Sequence, residues 1–104
     1  MGANSRSLVE VDRLIHEPSR SVILAILAAV KNSDFLYLQR ETGLTKGNLT
    51  VHLSKLENAG YIKIKKTYRG KVPLTLCWIT ENGRKAFENY RKQLQKFVEE
   101  TTSP

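Results

Sequence analysis

Residues 44–60 read LTKGNLTVHLSKLENAG, and this stretch decides how the chain is organised. It carries the start and the stop of a helix. The Thr45 hydroxyl is placed to accept from a first-turn backbone N–H. Gly60 suits the left-handed position that ends a helix. At about 100° per residue, Leu49, Leu53 and Leu56 share one stripe. Gly47, Thr50, Val51, Ser54 and Asn58 fall on the opposite side, with Lys55 at its edge. That outer face is odd for a solvated helix: it is small, free of glutamate and rich in poor helix formers. Gly47 alone costs about 1 kcal/mol relative to alanine. A local rule broken with no structural return marks a working surface. Small side chains let a helix sit deep in a groove, so the expectation is a helix that enters the major groove of double-stranded DNA.

The 104 residues suffice for one small domain. A hydrophobic content of 40% supports a modest core rather than a pocketed enzyme. No apolar run approaches the roughly 18 residues of a membrane span. The longest, residues 22–30, lacks the flanks of a secretory leader. The single cysteine, Cys77, allows no intrachain disulfide and no multi-cysteine zinc site, and a reducing cytoplasm is the expected compartment. A net charge of +7 favours an anionic partner. Its distribution says more. Residues 61–71 hold Lys63, Lys65, Lys66, Arg69 and Lys71 and no acid, whereas residues 81–100 mix both signs. The positive field follows directly on the 44–60 helix.

Taken in order, residues 1–7 are small and polar and are expected to be disordered. Residues 8–16 form a short helix with Leu8, Val11, Leu14 and Ile15 apolar. Pro18 suits the first turn of a second helix. Val22, Ile23, Leu24, Ile26, Leu27 and Val30 make that helix apolar on most sides, hence central and buried. Lys31-Asn32 break it, and Ser33 or Asp34 caps a third helix. Phe35, Leu36 and Leu38 face inward there, with Tyr37 and Arg40 outward. Thr42-Gly43-Leu44 turns into the 44–60 helix, and two short helices across a glycine-containing turn is the helix-turn-helix layout. After Gly60 the period becomes two: Ile62 and Ile64 face one side, Lys63 and Lys65 the other, which is a half-buried strand. Residues 66–72 turn through Tyr68-Arg69-Gly70-Lys71, and a second strand covers residues 74–79 with Pro73 at its beginning. Thr80 caps a last helix reaching about residue 99, with Ala86, Phe87, Tyr90, Leu94, Phe97 and Val98 at three- and four-residue steps. Residues 101–104 fray.

This order of elements resembles the winged-helix transcriptional regulators related to the MarR and ArsR families. The strings that carry the resemblance are Leu44-Thr45-Lys46-Gly47-Asn48-Leu49, His52-Leu53, Leu56-Glu57 and Ala59-Gly60-Tyr61-Ile62. Arg69-Gly70-Lys71 and Ile79-Thr80-Glu81-Asn82-Gly83-Arg84 add to it, and the likeness covers roughly residues 10–90. It implies an α+β, mainly α, winged helix-turn-helix over residues 8–100, with a two-stranded β-hairpin wing and a C-terminal dimerisation helix over about 80–100. It also implies a helix that reads the major groove, a hairpin on the neighbouring minor groove or backbone, and a homodimer on pseudo-palindromic DNA. Two departures stand out. The cysteine-rich motif of metal-sensing ArsR members is missing, and there is little room for the separate effector pocket of larger MarR members.

On this reading the DNA-binding residues are Thr45, Lys46, Gly47, Asn48, Thr50, Val51, Ser54 and Lys55 of the helix and Lys66, Tyr68, Arg69 and Lys71 of the hairpin. Val51 meets a thymine methyl; Asn48, Thr50 and Ser54 bond base edges or phosphates. Lys46 and Lys55 position the protein on phosphates. Arg69 suits a narrow minor groove, and Tyr68 flanks the backbone or packs over the turn. Lys63 serves equally well to keep a sheet edge soluble. His52, about 60° from Leu49 around the helix, is a boundary residue rather than a base, and His16 has no identifiable partner. His16, His52 and Cys77 lack zinc-ligand spacing, and no nucleophile motif frames them. No catalytic residue, metal or cofactor is expected.

Leu74, Leu76 and Trp78 share one strand face and Thr75, Cys77 and Ile79 the other. Two partly apolar faces on an edge strand exceed what one small domain covers. A homodimer is therefore expected through Leu8, Val11, Trp78, Phe87, Tyr90, Leu94, Phe97 and Val98. The competing function is a protein-interaction module of a larger assembly, its basic hairpin docked on an acidic partner. RNA binding ranks below both, because an aromatic stacking platform is missing.

Overall fold

The elements run α1 (Arg6–Val9), α2 (Pro18–Ala28), β1 (Ser33–Asp34), α3 (Phe35–Thr42), α4 (Lys46–Asn58), β2 (Ile62–Arg69), β3 (Val72–Ile79) and α5 (Glu81–Thr101) in the computed structural model, which describes residues 6–102. Helix α2 is the centre. Ile23, Leu24 and Leu27 on it are fully buried and meet Leu38 of α3, Leu49, Leu53 and Leu56 of α4, and Ile62, Cys77 and Ile79 of the sheet. Glu17 caps α2 by accepting from the Arg20 amide, with Pro18 in the first turn. The helix is less enclosed than its composition suggests: Val22 and Ala25 are exposed.

The first helix is shorter than expected. It stops at Val9 rather than running to residue 16. The reason is Asp12, whose Oδ1 accepts from the amides of Leu14 (2.9 Å) and Ile15 (3.2 Å). A side chain that satisfies nearby amides gives the backbone an alternative to helix. The turn is useful, because it buries Val11 and Ile15 against α2. Tyr61 donates its hydroxyl to Asp12 Oδ2, tying this turn to the start of the sheet. His16 has a partner after all: its Nδ1 lies 2.8 Å from the Tyr90 hydroxyl on α5. Of residues 1–7, expected to be disordered, 1–5 fall outside the described residues, whereas Arg6 and Ser7 form the first turn of α1.

Asp34, not Ser33, caps α3, accepting from the Tyr37 amide at 2.7 Å. Leu36 is not inward as expected: it is 70% exposed. It stands about 200° from Leu38 around the helix, so both cannot face the core. Ser33 and Asp34 form a short strand the sequence did not announce, pairing antiparallel with Cys77 and Leu76. The sheet order is β1-β3-β2, so β3 is the central strand and not an edge. Its second neighbour pairs from Ile62↔Ile79 to Arg69↔Val72. That leaves a two-residue tip, Gly70-Lys71, tighter than the turn expected over 66–72. Gly70 has φ +64° and, among the described residues, no non-glycine residue has positive φ, which fits a hairpin turn with glycine in its first central position.

Thr80 caps α5 through the Gly83 amide at 3.0 Å. Gly83 is there for space: a Cβ would collide with the Tyr61 carbonyl. α5 runs through Thr101, two residues further than expected. Its 21 residues make a rod of about 32 Å, and the molecule measures 61 × 25 × 20 Å. Ala86, Phe87, Tyr90 and Leu94 of α5 pack on the core, and among the described residues none past Leu94 does.

Candidate nucleic-acid interface

Helix α4 is built as its sequence reads. Thr45 Oγ1 accepts from the Asn48 amide at 3.1 Å. At the other end the Gly60 amide donates to Glu57 O and the Tyr61 amide to Leu56 O, with Gly60 at φ +81°. These two bonds are the Schellman stop, and only glycine adopts that φ without cost. Leu49, Leu53 and Leu56 are buried, which turns the opposite face to solvent. Gly47, Asn48, Thr50, Val51, Ser54 and Lys55 are all exposed, Val51 by 52%.

Gly47 is the most informative position. A Cβ built on it would meet nothing within 4 Å, and its φ is not in the left-handed region. Neither space nor backbone conformation inside the chain demands glycine there. Thr50 turns its hydroxyl back to the Lys46 carbonyl at 2.8 Å and so presents its methyl outward. Val51 beside it extends an apolar strip flanked by polar Asn48 and Ser54. Such a strip can meet thymine methyls while its neighbours hydrogen-bond base edges.

The hairpin stands beside α4. Strand alternation gives it two faces. Ile62, Ile64, Lys66 and Tyr68 lie toward α4, and Lys63, Lys65, Thr67 and Arg69 lie away from it. Tyr68, Arg69 and Lys71 are exposed around the tip. A groove of about 760 Å³ separates α4 from the hairpin, with Thr50 and Ser54 on one wall and Lys66 and Thr75 on the other. Asp34, Leu36, Gln39 and Glu57 line the same groove and were not singled out from the sequence. Glu57 was within reach of that reasoning, because it sits about 80° from Leu49 around α4.

The expected dimer residues divide. Val11 and Tyr90 are buried in the chain's own core, at 5% and 6% exposure. Leu8 and Leu94 are half-buried against that core, and Phe87 stacks on Tyr90 with centroids 6.4 Å apart. Phe97 is half-buried and Val98 exposed toward the end of α5. Trp78 lies on the sheet, opposite Lys63 across the strand pair.

Cys77 is fully buried, and its thiol is pushed up to about 11 by burial, then by the charges of Glu57 and Asp34. Among the described residues no cluster of three or more His, Cys, Asp or Glu side chains could hold a metal ion. Among them, too, no helix is long and apolar enough to cross a membrane.

Comparison with known proteins agrees with this geometry. The family described as "Winged helix DNA-binding domain" matches residues 20–98. An uncharacterized protein of Methanocaldococcus jannaschii is 40% identical over 79 residues, covering 75% of this chain and 85% of its own. The structure of a transcriptional regulator homologue from Pyrococcus horikoshii OT3 superposes with a TM-score of 0.85 at 26% identity, covering 90% of this chain and 95% of that one. An ArsR family transcriptional regulator, RHA00566, shares the fold at a TM-score of 0.57 and 20% identity, over 98% of this chain and 100% of that one. With a family match across most of its length, and with α4 and the hairpin arranged as described, the chain belongs to the winged helix DNA-binding domain family.

Proposed function

We propose that the chain is a sequence-specific transcriptional regulator that binds double-stranded DNA as a homodimer and carries no catalytic activity. α4 enters the major groove, and the hairpin tip grips the adjoining minor groove or backbone. The observation that carries this reading is the empty space over Gly47 on an exposed helix face of small side chains, with Glu57 at its edge. A glycine that costs helix stability and relieves no contact within the chain leaves close approach by a partner as its use. The acid-free hairpin supports it. Lys66 from the α4 side and Arg69 and Lys71 from the tip supply phosphate contacts, and Arg69 suits a narrow minor groove.

Dimerisation is supported by the end of α5. Beyond Leu94, which packs on the core, Phe97 and Val98 continue the apolar stripe of α5, and Val9 of α1 is exposed beside Leu8. Pairing this surface with its copy covers it and sets two α4 helices on one duplex. The test is selection of bound sequences from a random duplex pool, with mass measured in solution. The expected result is a pseudo-palindrome whose half-sites lie about 10 base pairs apart, bound by two chains. No enrichment of any sequence would contradict the proposal.

A further inference from the structure

The geometry points to a second docking surface, on the outer face of the hairpin, for an acidic amphipathic helix of another protein. The surface is a ladder of cross-strand pairs: Lys63 opposite Trp78, Lys65 opposite Leu76, Thr67 opposite Leu74 and Arg69 opposite Val72. Strand alternation sets these on one face, while Ile62, Cys77 and Ile79 of the other face are buried in the core. One rail of the ladder is apolar along its whole length and the other is cationic at three of its four positions.

This face is not used by the fold. Leu74, Leu76 and Trp78 are half-buried, yet among the described residues they are not part of the shell that packs on the core. Val72 is 65% exposed at the open end. Lysine stems commonly cover apolar neighbours on a solvated sheet, but such a sheet also carries acids to balance the charge. The hairpin, residues 62–79, contains no Asp and no Glu; the one acid on the three strands is Asp34 of β1, opposite Leu76, and its carboxylate is engaged in capping α3. Nor does the proposed duplex account for Lys63 and Lys65, because they lie on the face turned away from α4.

The shape selects the partner. From Val72 to Trp78 the apolar rail is about 20 Å long at about 3.4 Å per residue, close to four turns of an α-helix. An amphipathic helix laid along it sets its apolar stripe on Leu74, Leu76 and Trp78 and its flanking carboxylates over Lys63, Lys65 and Arg69. A nucleic-acid strand fits less well, since three of the four apolar side chains are aliphatic and base stacking needs successive aromatic rings. The free edge of β2 is blunted against strand addition by its lysines. The surface meets the α4 side at its open end, where Leu74 also lines the groove and Arg69 is shared with the DNA reading, but Lys63, Lys65 and Trp78 have no part in that reading, so a test on them stands apart from it.

Trp78 is the only tryptophan, so its emission reports this face directly. The experiment titrates the full chain with a synthetic helical peptide of about 18 residues, or five turns, with leucine and phenylalanine on one side and glutamate on the other. A twin with lysine replacing glutamate is the control. The expected result is a saturable blue shift with the glutamate peptide alone. The shift should weaken with salt, and its affinity should fall about three- to tenfold in Lys63→Gln/Lys65→Gln. Emission that stays still, or moves equally with both peptides, overturns the proposal. So does an emission change on diluting the chain alone, which would give the face to a second copy. A shift produced by duplex DNA and lost in the double variant would give it to nucleic acid.

Discussion

Arg20 of α2 reaches His52 of α4, with its Nη1 3.1 Å from the imidazole Nδ1. A guanidinium only donates, so Nδ1 accepts and the ring proton sits on Nε2. The same arginine donates from Nε to the Leu14 carbonyl at 2.5 Å. Helix α4 is thus fastened along its inner flank to the start of α2. Arg20→Ala should cost about 2 kcal/mol of stability, read from urea unfolding. It should also weaken binding to all duplexes by a similar factor, since it loosens α4 without touching its outer face. A variant with unchanged stability would show that the link does not hold the helix.

Gly47→Ala separates folding from function. The added methyl meets no atom of the chain, and alanine is the better helix former by about 1 kcal/mol. The variant should melt higher by a few degrees while binding its selected duplex several-fold more weakly. Equal or tighter DNA binding would remove the reason given for the glycine.

Arg69→Ala/Lys71→Ala tests the hairpin tip. If each side chain neutralises one phosphate, the slope of log affinity against log salt should flatten by about 1.8. Affinity should fall for specific and unrelated duplexes alike. An unchanged slope would take the tip off the DNA.

The pH dependence of stability follows from Cys77 and Tyr61. Burial, then the charges of Glu57 and Asp34, raises the Cys77 thiol from 9.0 to about 11. Burial, then the hydrogen bond and charge of Asp12, raises the Tyr61 phenol from 10.0 to about 12. In both, the folded state holds the proton more tightly than the unfolded chain. The contribution is complete below pH 9 and is lost as the pH rises through 11 for Cys77 and 12 for Tyr61. The urea midpoint should therefore fall between about pH 9 and 11. In Cys77→Val the part due to the thiol, at most about 3 kcal/mol for the rise from 9.0 to about 11, should vanish. A midpoint that falls as steeply in the variant would place the loss elsewhere.

Much of this was legible in the sequence, and the exceptions have definite causes. α4 was readable because Thr45, the leucine stripe and Gly60 all state the same helix. The odd outer face was readable because Gly47 and Thr50 contradict it. β1 was not readable: two residues carry no period, and Ser33-Asp34 is a strand only because Cys77 and Leu76 pair with it. That hidden strand also made β3 look like an edge. The first helix was overextended because Leu8, Val11, Leu14 and Ile15 keep a helical spacing while Asp12 ends the helix from within. Gln39 was not legible as a groove residue because its place on α3 does not reveal what the neighbouring hairpin encloses, whereas Glu57 was legible from its angle on α4, close to that of Thr50.

The most direct test of the central claim is the affinity ratio between the selected duplex and a scrambled one at fixed salt, for the chain and for Val51→Ala. The account predicts a ratio of about a thousand or more for the chain. In the variant it should drop about fivefold to tenfold, as a lost contact of roughly 1 kcal/mol or slightly more implies, with binding to the scrambled duplex unchanged. A ratio that is the same in both proteins would mean that the outer face of α4 does not read DNA.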